Sequence, residues 1–247
     1  MTTAFIPLRV HSVYSKGKGG ALLSELAAWS RRQNLPAAAL TDRENLYGWS
    51  RWHRTAREYG LNPLFGCEIN TAEGRFVFLV KNLQGYWNLM EILNGKRVGD
   101  AGGLVAVYLP GKEKEKDPAV AERLRGEDFY VGVDFWNFSH ARSVAADGGY
   151  SLVWANPLKF IGNPERLILL HALHKKKPFP LEKKRLQRYM AFFGPSQASA
   201  ACQKFGSGAE TLFRATFEIM EKCRFAFDGI VPPLPETLAS ITLRGLV

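Results

Sequence analysis

The 247 residues are 46% hydrophobic, 12% aromatic and 23% charged, with 33 Lys+Arg against 23 Asp+Glu and a formal net charge of +10. Such apolar and aromatic content excludes a disordered chain, and the length suits one domain or slightly more, with a sizeable core. Cys67, Cys202 and Cys223 form no CxxC pair, which argues against a disulfide framework or a thiolate zinc site. No apolar run approaches the roughly 20 residues of a membrane span. The opening MTTAFIPLRVHS lacks a basic stretch followed by an apolar one, so no leader is read and a cytoplasmic location is expected.

In chain order, Phe5–His11 is a short strand candidate, and Ala21–Asn34 reads as a helix with Leu22, Leu23, Leu26 and Trp29 on one side, stopped by Pro36. Ala37–Asp42 is a buried strand and Leu46–Tyr59 a helix ending at Gly60. Within it Trp49 and Trp52, at i, i+3, read as core in preference to a docking surface. Pro63–Asn70 and Arg75–Asn82 are strands around a Glu73–Gly74 turn, followed by a helix over Tyr86–Asn94 and a strand over Gly103–Pro110. After a charged loop, KEKEKDP, come a strand at Asp128–Phe135, a helix ending near Gly148–Gly149 and a strand at Tyr150–Asn156. Helices alone follow: Pro164–His174, Glu182–Phe193 and Ala209–Cys223. Alternating strands and helices predict a parallel sheet, and about seven strands favour closure into a TIM-like barrel with a C-terminal helical segment.

The working face of a parallel barrel is the C-terminal end of its strands. The residues closing the strands are Arg9 and His11, then Asp42 and Arg43, then Glu68, then Asn156, Pro157 and Lys159. His11, Asp42 and Glu68 are ordinary ligands for a divalent metal. Arg9, Arg43 and Lys159 stand among them as cations that repel one. The residue types therefore predict that these charges pair with each other and hold the barrel mouth.

A second concentration of charge lies between Lys159 and Arg188, where nine Lys/Arg face two Glu, a surplus of seven. Lys183, Lys184, Arg185 and Arg188 interleave with Leu186, Tyr189, Met190 and Phe193 as the basic face of an amphipathic helix. Together with Lys175, Lys176 and Lys177 they are candidate contacts for nucleic acid or a partner, against the plain alternative of a solvated face.

PLRVHSVYS, AALTDRENLYG, PLFGCEI, FLVKNLQGYWNLM, WANPLKF and FEIMEKCRFAF stand in the order and at the spacing seen in a known family. The chain resembles the PHP (polymerase and histidinol phosphatase) domain at the N-terminus of the bacterial DNA polymerase III alpha subunit. The resemblance implies a distorted (β/α)7 barrel over residues 1–162, completed by helices over 163–230. Residues 231–247, VPPLPE and the helix start after it, are expected to be a linker and the beginning of a polymerase region cut short at Val247. Active members bind two or three metals. At the matching positions an H-x-H pair is here Arg9 and His11, an acid-bearing loop is here Lys16–Gly20, T-D-H is here Thr41, Asp42, Arg43, and N-D-x-H is here Asn156, Pro157, Leu158, Lys159. The resemblance thus implies a vestigial site (Arg9, His11, Asp42, Arg43, Glu68, Asn156, Pro157, Lys159), with the ancestral zinc, manganese or magnesium lost and no cofactor expected. His140 is the one other histidine kept as a leftover site position; His53, His171 and His174 fall in no family motif.

The resulting expectation is a non-catalytic module supporting the rest of a polymerase chain, able to dock a proofreading 3′–5′ exonuclease, with DNA as a further possible contact and no membrane partner. Two alternatives stay open at this point: a stand-alone metal-dependent phosphoesterase, and an orphan scaffold or nucleic-acid-binding barrel.

Overall fold

The computed structural model describes residues 4–111, 128–186 and 193–226. The charged loop KEKEKDP, the helix expectation over 187–192, Arg188 and the segment 231–247 lie outside the described residues, as do the side chains of Leu181, Arg185 and Leu186.

Helix α1 (Leu23–Arg32) turns Leu23, Leu26, Ala27 and Trp29 inward, and β1 (Ala37–Leu40) is buried along its whole length. In α2 (Trp49–Glu58) the apolar positions Trp49, Trp52 and Ala56 share one face and are buried, so both tryptophans are core as their spacing predicts. Strands β2 (Asn62–Thr71) and β3 (Gly74–Val80) form a hairpin across residues 72–73, with Glu68 opposite Val77. Helix α3 (Leu83–Gly95) starts on Asn82, whose side chain accepts the Gly85 N–H. Then follow β4 (Leu104–Tyr108), β5 (Phe129–Val133), α4 (Phe138–Gly148) and β6 (Ser151–Trp154).

The six strands among the described residues are hydrogen-bonded in chain order, β1 to β6. The sheet is mixed, which corrects the parallel expectation: β1–β2, β4–β5 and β5–β6 are parallel, but β3 runs antiparallel to both β2 and β4. A two-residue connection is too short for the crossover that parallel neighbours need.

Residues 5–11 also depart from expectation, since they form no strand. They make isolated bonds to both edges of the sheet instead. Pro7 O accepts from Ala39 N–H at 2.9 Å and Val10 O from Thr41 N–H at 3.2 Å, on the β1 side. On the far side His11 N–H donates to Leu158 O at 2.9 Å and Leu158 N–H to Arg9 O at 2.8 Å. A sheet whose first strand and whose continuation past its last strand bond one segment must curl, and its ends are brought to one rim.

Four helices follow among the described residues. Helix α5 (Pro164–Lys175) opens on Asn163, which accepts the Glu165 N–H, with proline in its first turn. Helix α6 spans Phe179–Leu186, where the sequence predicts Glu182–Phe193. Helix α7 (Gln197–Phe205) is absent from the sequence reading, and α8 (Gly208–Lys222) packs on β6. Its Thr216 Oγ1 accepts the Ile6 N–H at 2.9 Å and its Phe213 ring lies 5.4 Å from that of Phe5, so the helical region clasps the first residues of the fold. Among the described residues no helix is long and apolar enough to cross a membrane.

The start of α3 is pressed onto the start of β4. A Cβ placed on Gly85 would lie 1.9 Å from the Gly103 carbonyl oxygen, a backbone atom that cannot swing aside. Gly85→Ala is expected to cost about 1–3 kcal/mol, read as a lower urea midpoint with an unchanged slope.

Candidate functional site

The curl of the sheet brings the strand-closing residues together around Glu68, which is 1% exposed. Its Oε2 accepts from Arg9 Nε at 2.6 Å and lies 2.8 Å from His11 Nε2. Its Oε1 faces Arg43 Nε at 3.2 Å, as an ion pair without hydrogen-bond alignment. Arg9 is itself buried; its Nη1 donates to Ala155 O at 3.2 Å and stands 3.9 Å from Asp134 Oδ2. Burial alone would push the Glu68 carboxyl upward, but the Arg9 guanidinium and the His11 contact outweigh it and hold the group well below the usual carboxylate range.

His11 answers to the same environment in the opposite sense. Burial drives its pKa down from 6.5 to about 4, Glu68 pulls it up, and Arg9 and Lys159 push it down again. The ring is neutral near pH 7. A neutral ring beside a carboxylate donates from Nε2, which leaves Nδ1 as the lone-pair nitrogen; that atom is buried with no hydrogen-bond partner.

Asp42 lies in the same region but takes different partners. Its Oδ1 accepts from Ser12 N–H at 2.7 Å and Ser15 Oγ at 2.5 Å, and its Oδ2 from Ser12 Oγ at 2.7 Å. Burial raises its pKa, with the serine hydrogen bonds acting against the rise. Asp42 therefore pairs with hydroxyls and not with Arg43, which corrects one of the expected ion pairs.

Lys159 corrects another. Its ammonium sits 3.9 Å above the Phe193 ring and has no carboxylate partner among the described residues. Burial, then Arg9, lower its pKa from 10.5 to about 7, with Lys18 and Arg43 adding to the effect and Glu68 opposing it. Asn156 is buried and is oriented by Gln197 of α7, whose Oε1 accepts from Asn156 Nδ2 at 3.0 Å and from Trp154 Nε1 at 3.1 Å. Pro157 is buried beside it.

A family model described as "PHP domain" matches residues 7–123. Residues 7–123 are a PHP domain. Curated relatives include the error-prone DNA polymerase of Symbiobacterium thermophilum, 32% identical over 117 residues, 45% of this chain and 11% of that protein. The DNA polymerase III subunit alpha of Caulobacter vibrioides is 26% identical over 186 residues, 59% of this chain and 16% of that protein. Its counterpart in Pseudomonas aeruginosa is 27% identical over 204 residues, 65% of this chain and 17% of that protein. The chain thus spans about a sixth or less of these relatives. Among solved structures, an amidohydrolase from Chromobacterium violaceum aligns with a TM-score of 0.42 at 13% identity, covering 65% of this chain and 90% of that one.

Within the PHP domain and the segment just beyond β6, Arg9, His11, Asp42, Arg43, Glu68, Asn156 and Lys159 gather as the strand ends suggest. His140, on α4, makes no hydrogen bond or ion pair with this group among the described residues, and its Nε2 is buried without a hydrogen-bond partner. Lys175, Lys176 and Lys177 are exposed at the end of α5, Lys183 pairs with Glu165, and Lys184 is exposed. The sequence reading missed Asp134, Ser12, Ser15, Gln197 and Arg75. Asp134 closes the fifth strand, so the rule that found the others points to it as well. A divalent ion at Glu68 would have to displace Arg9 and sit beside a second guanidinium, a donor set that does not fit one.

The His11 shift makes a pH prediction. Between pH 6.5 and about 4 the unfolded chain takes up a proton that the folded one refuses, so stability falls as pH falls through that window. The full shift corresponds to about 3 kcal/mol. Urea midpoints measured from pH 7 to pH 4 are expected to drop in the native protein, and the part of the drop above pH 4.5 is expected to flatten in His11→Gln.

Proposed function

We propose that this PHP domain is a non-catalytic structural module of a cytoplasmic DNA polymerase of the DNA polymerase III alpha type, its ancestral metal positions taken over by ion pairs. The observation that carries the reading is the Glu68 carboxylate, engaged by Arg9, His11 and Arg43 at once. A cluster of carboxylates and imidazoles needs positive charge to be stable. In a metal-dependent site the ions supply it; here guanidiniums at ligand positions do, without open coordination sites and without a means to activate water. The similarity to polymerase alpha chains supports the placement in replication. In this reading the module supports the remainder of the polymerase chain and offers a surface to a proofreading 3′–5′ exonuclease.

The test is metal analysis of the native chain and of Arg43→His after exposure to zinc and manganese. Neither is expected to retain stoichiometric metal, because Arg9 still occupies Glu68. Tight one-to-one zinc or manganese in Arg43→His would overturn the reading. Glu68→Gln is expected to destabilise the fold by about 3–5 kcal/mol, since it strands Arg9 in a buried site, and added metal is expected to restore none of that loss.

A further inference from the structure

Helix α5 carries apolar residues on both of its sides. Leu167, Ile168 and Ala172 are buried against the fold, whereas Leu169 and Leu173 stand 47% and 66% exposed. At a spacing of four residues these two leucines lie one turn apart on a single stripe. The outer stripe of a surface helix is ordinarily polar. Helix α6 does not take it up through its described ion pairs with α5. Those are Lys183 with Glu165 in the first turn, and Glu182 Oε2 with His171 Nε2 at 3.3 Å. His171 is two residues from either leucine and so projects from the opposite side of α5.

The stripe runs into a block of cations. His174, Lys175, Lys176 and Lys177 are exposed, as is Lys184 on α6. Both carboxylates of α5 and α6 are already taken, Glu165 by Lys183 and Glu182 by His171. Lys175, Lys176, Lys177 and Lys184 make no ion pair among the described residues. The helix cap fixes where the lysines start. Lys176 N–H donates to Leu173 O at 3.2 Å and Lys177 N–H to Ala172 O at 3.0 Å, closing α5 on a left-handed residue. That residue is Lys176, at φ +52°, where glycine is the least strained occupant.

We propose that the outer stripe of α5 and the lysine turn after it form a docking surface for an acidic amphipathic helix of another protein. Leu169 and Leu173 seat the partner's apolar side, and Lys175–Lys177 with Lys184 meet its carboxylates just beyond. The surplus of cations sets the sign of the partner, and the leucines set its class. A phosphate backbone answers the lysines but makes no use of the leucines. A lipid surface calls for an apolar side several turns long, and the remaining apolar residues of α5 serve the fold. The proposal goes beyond the reading of Glu68 and does not depend on it.

The test is fluorescence anisotropy of the labelled peptide Ac-EELAELLEELAELLEELA-NH2 titrated with the 247-residue chain. Two control peptides replace every Leu by Ser or every Glu by Lys. Labelled oligothymidylate is titrated in the same way, and phosphatidylserine vesicles are examined by cosedimentation. Saturable binding of the acidic peptide is expected, weakening as salt is added, with neither control peptide bound. Leu169→Ser/Leu173→Ser should weaken it at least about tenfold. Both positions are exposed, so the variant is expected to fold, which thermal unfolding checks. Lys176→Gly should weaken binding about threefold without lowering the thermal midpoint, because it relieves the left-handed turn. Arg31→Ala, on the exposed side of α1, should change nothing. Failure of the acidic peptide to saturate, or an unchanged affinity in the folded leucine double variant, would overturn the proposal. So would equal binding of the leucine-free peptide. Tighter binding of oligothymidylate or of vesicles than of the acidic peptide would overturn it as well, and would assign the lysines to phosphate or lipid headgroups. None of these outcomes alters the metal analysis at Glu68.

Discussion

The Glu68 carboxylate is met from three directions, by hydrogen bonds to Arg9 and His11 on the first segment of the chain and by the Arg43 ion pair just beyond β1. A buried carboxylate is tolerated only if its charge is met at close range, and here the partners come from two stretches of backbone, both distant from β2 in sequence. Ionised Glu68 therefore imposes a geometry: the opening segment must lie against both β1 and Leu158, and the sheet must curl far enough to allow it. The backbone bonds of Pro7, Val10 and His11 follow the same path. Side-chain charge and main-chain pairing specify one arrangement, which is the mark of a fold whose local and global preferences agree.

Much of the site was legible because residues closing neighbouring strands are neighbours in space, whichever way the rest of the sheet runs. Arg9, His11, Asp42, Arg43, Glu68 and Lys159 needed only that rule. Arg75 escaped it for a physical reason. It lies at the start of β3, and only an antiparallel β3 turns its beginning toward the rim that holds the ends of β2 and β4. Buried apolar runs such as FVFLV carry no information about strand direction, so the short 72–73 connection was the available signal. Ser12 stands among the residues closing the first strand candidate but took no role there, and Ser15 left no trace, since a hydroxyl that satisfies a carboxylate has no characteristic spacing. Helix α7 was passed over because QASAACQKF is built mainly of small and polar residues, with little periodic contrast.

The helices after β6 do more than cover the sheet. Gln197 fixes Asn156 and Trp154, Phe193 lies under the Lys159 ammonium, and Thr216 takes the Ile6 amide. The rim is thus braced from behind by residues remote in sequence, none of which carries charge. This leaves its electrostatics to a few groups: one low-lying carboxylate, a second wrapped in serines, a neutral imidazole and a surplus of cations.

The clasp between the two ends of the fold also bears on the order of events at the ribosome. Ile6 finds its hydrogen-bond acceptor 210 residues later, on Thr216, and His11 waits for Leu158. At ordinary elongation rates that interval is about 10–40 s. Through it Phe5, Ile6, Leu8 and Val10, all buried in the finished protein, have no permanent seat. A nascent chain of this design carries an unseated apolar segment through that interval, a stretch on which a chaperone that grips apolar nascent chain has a long hold.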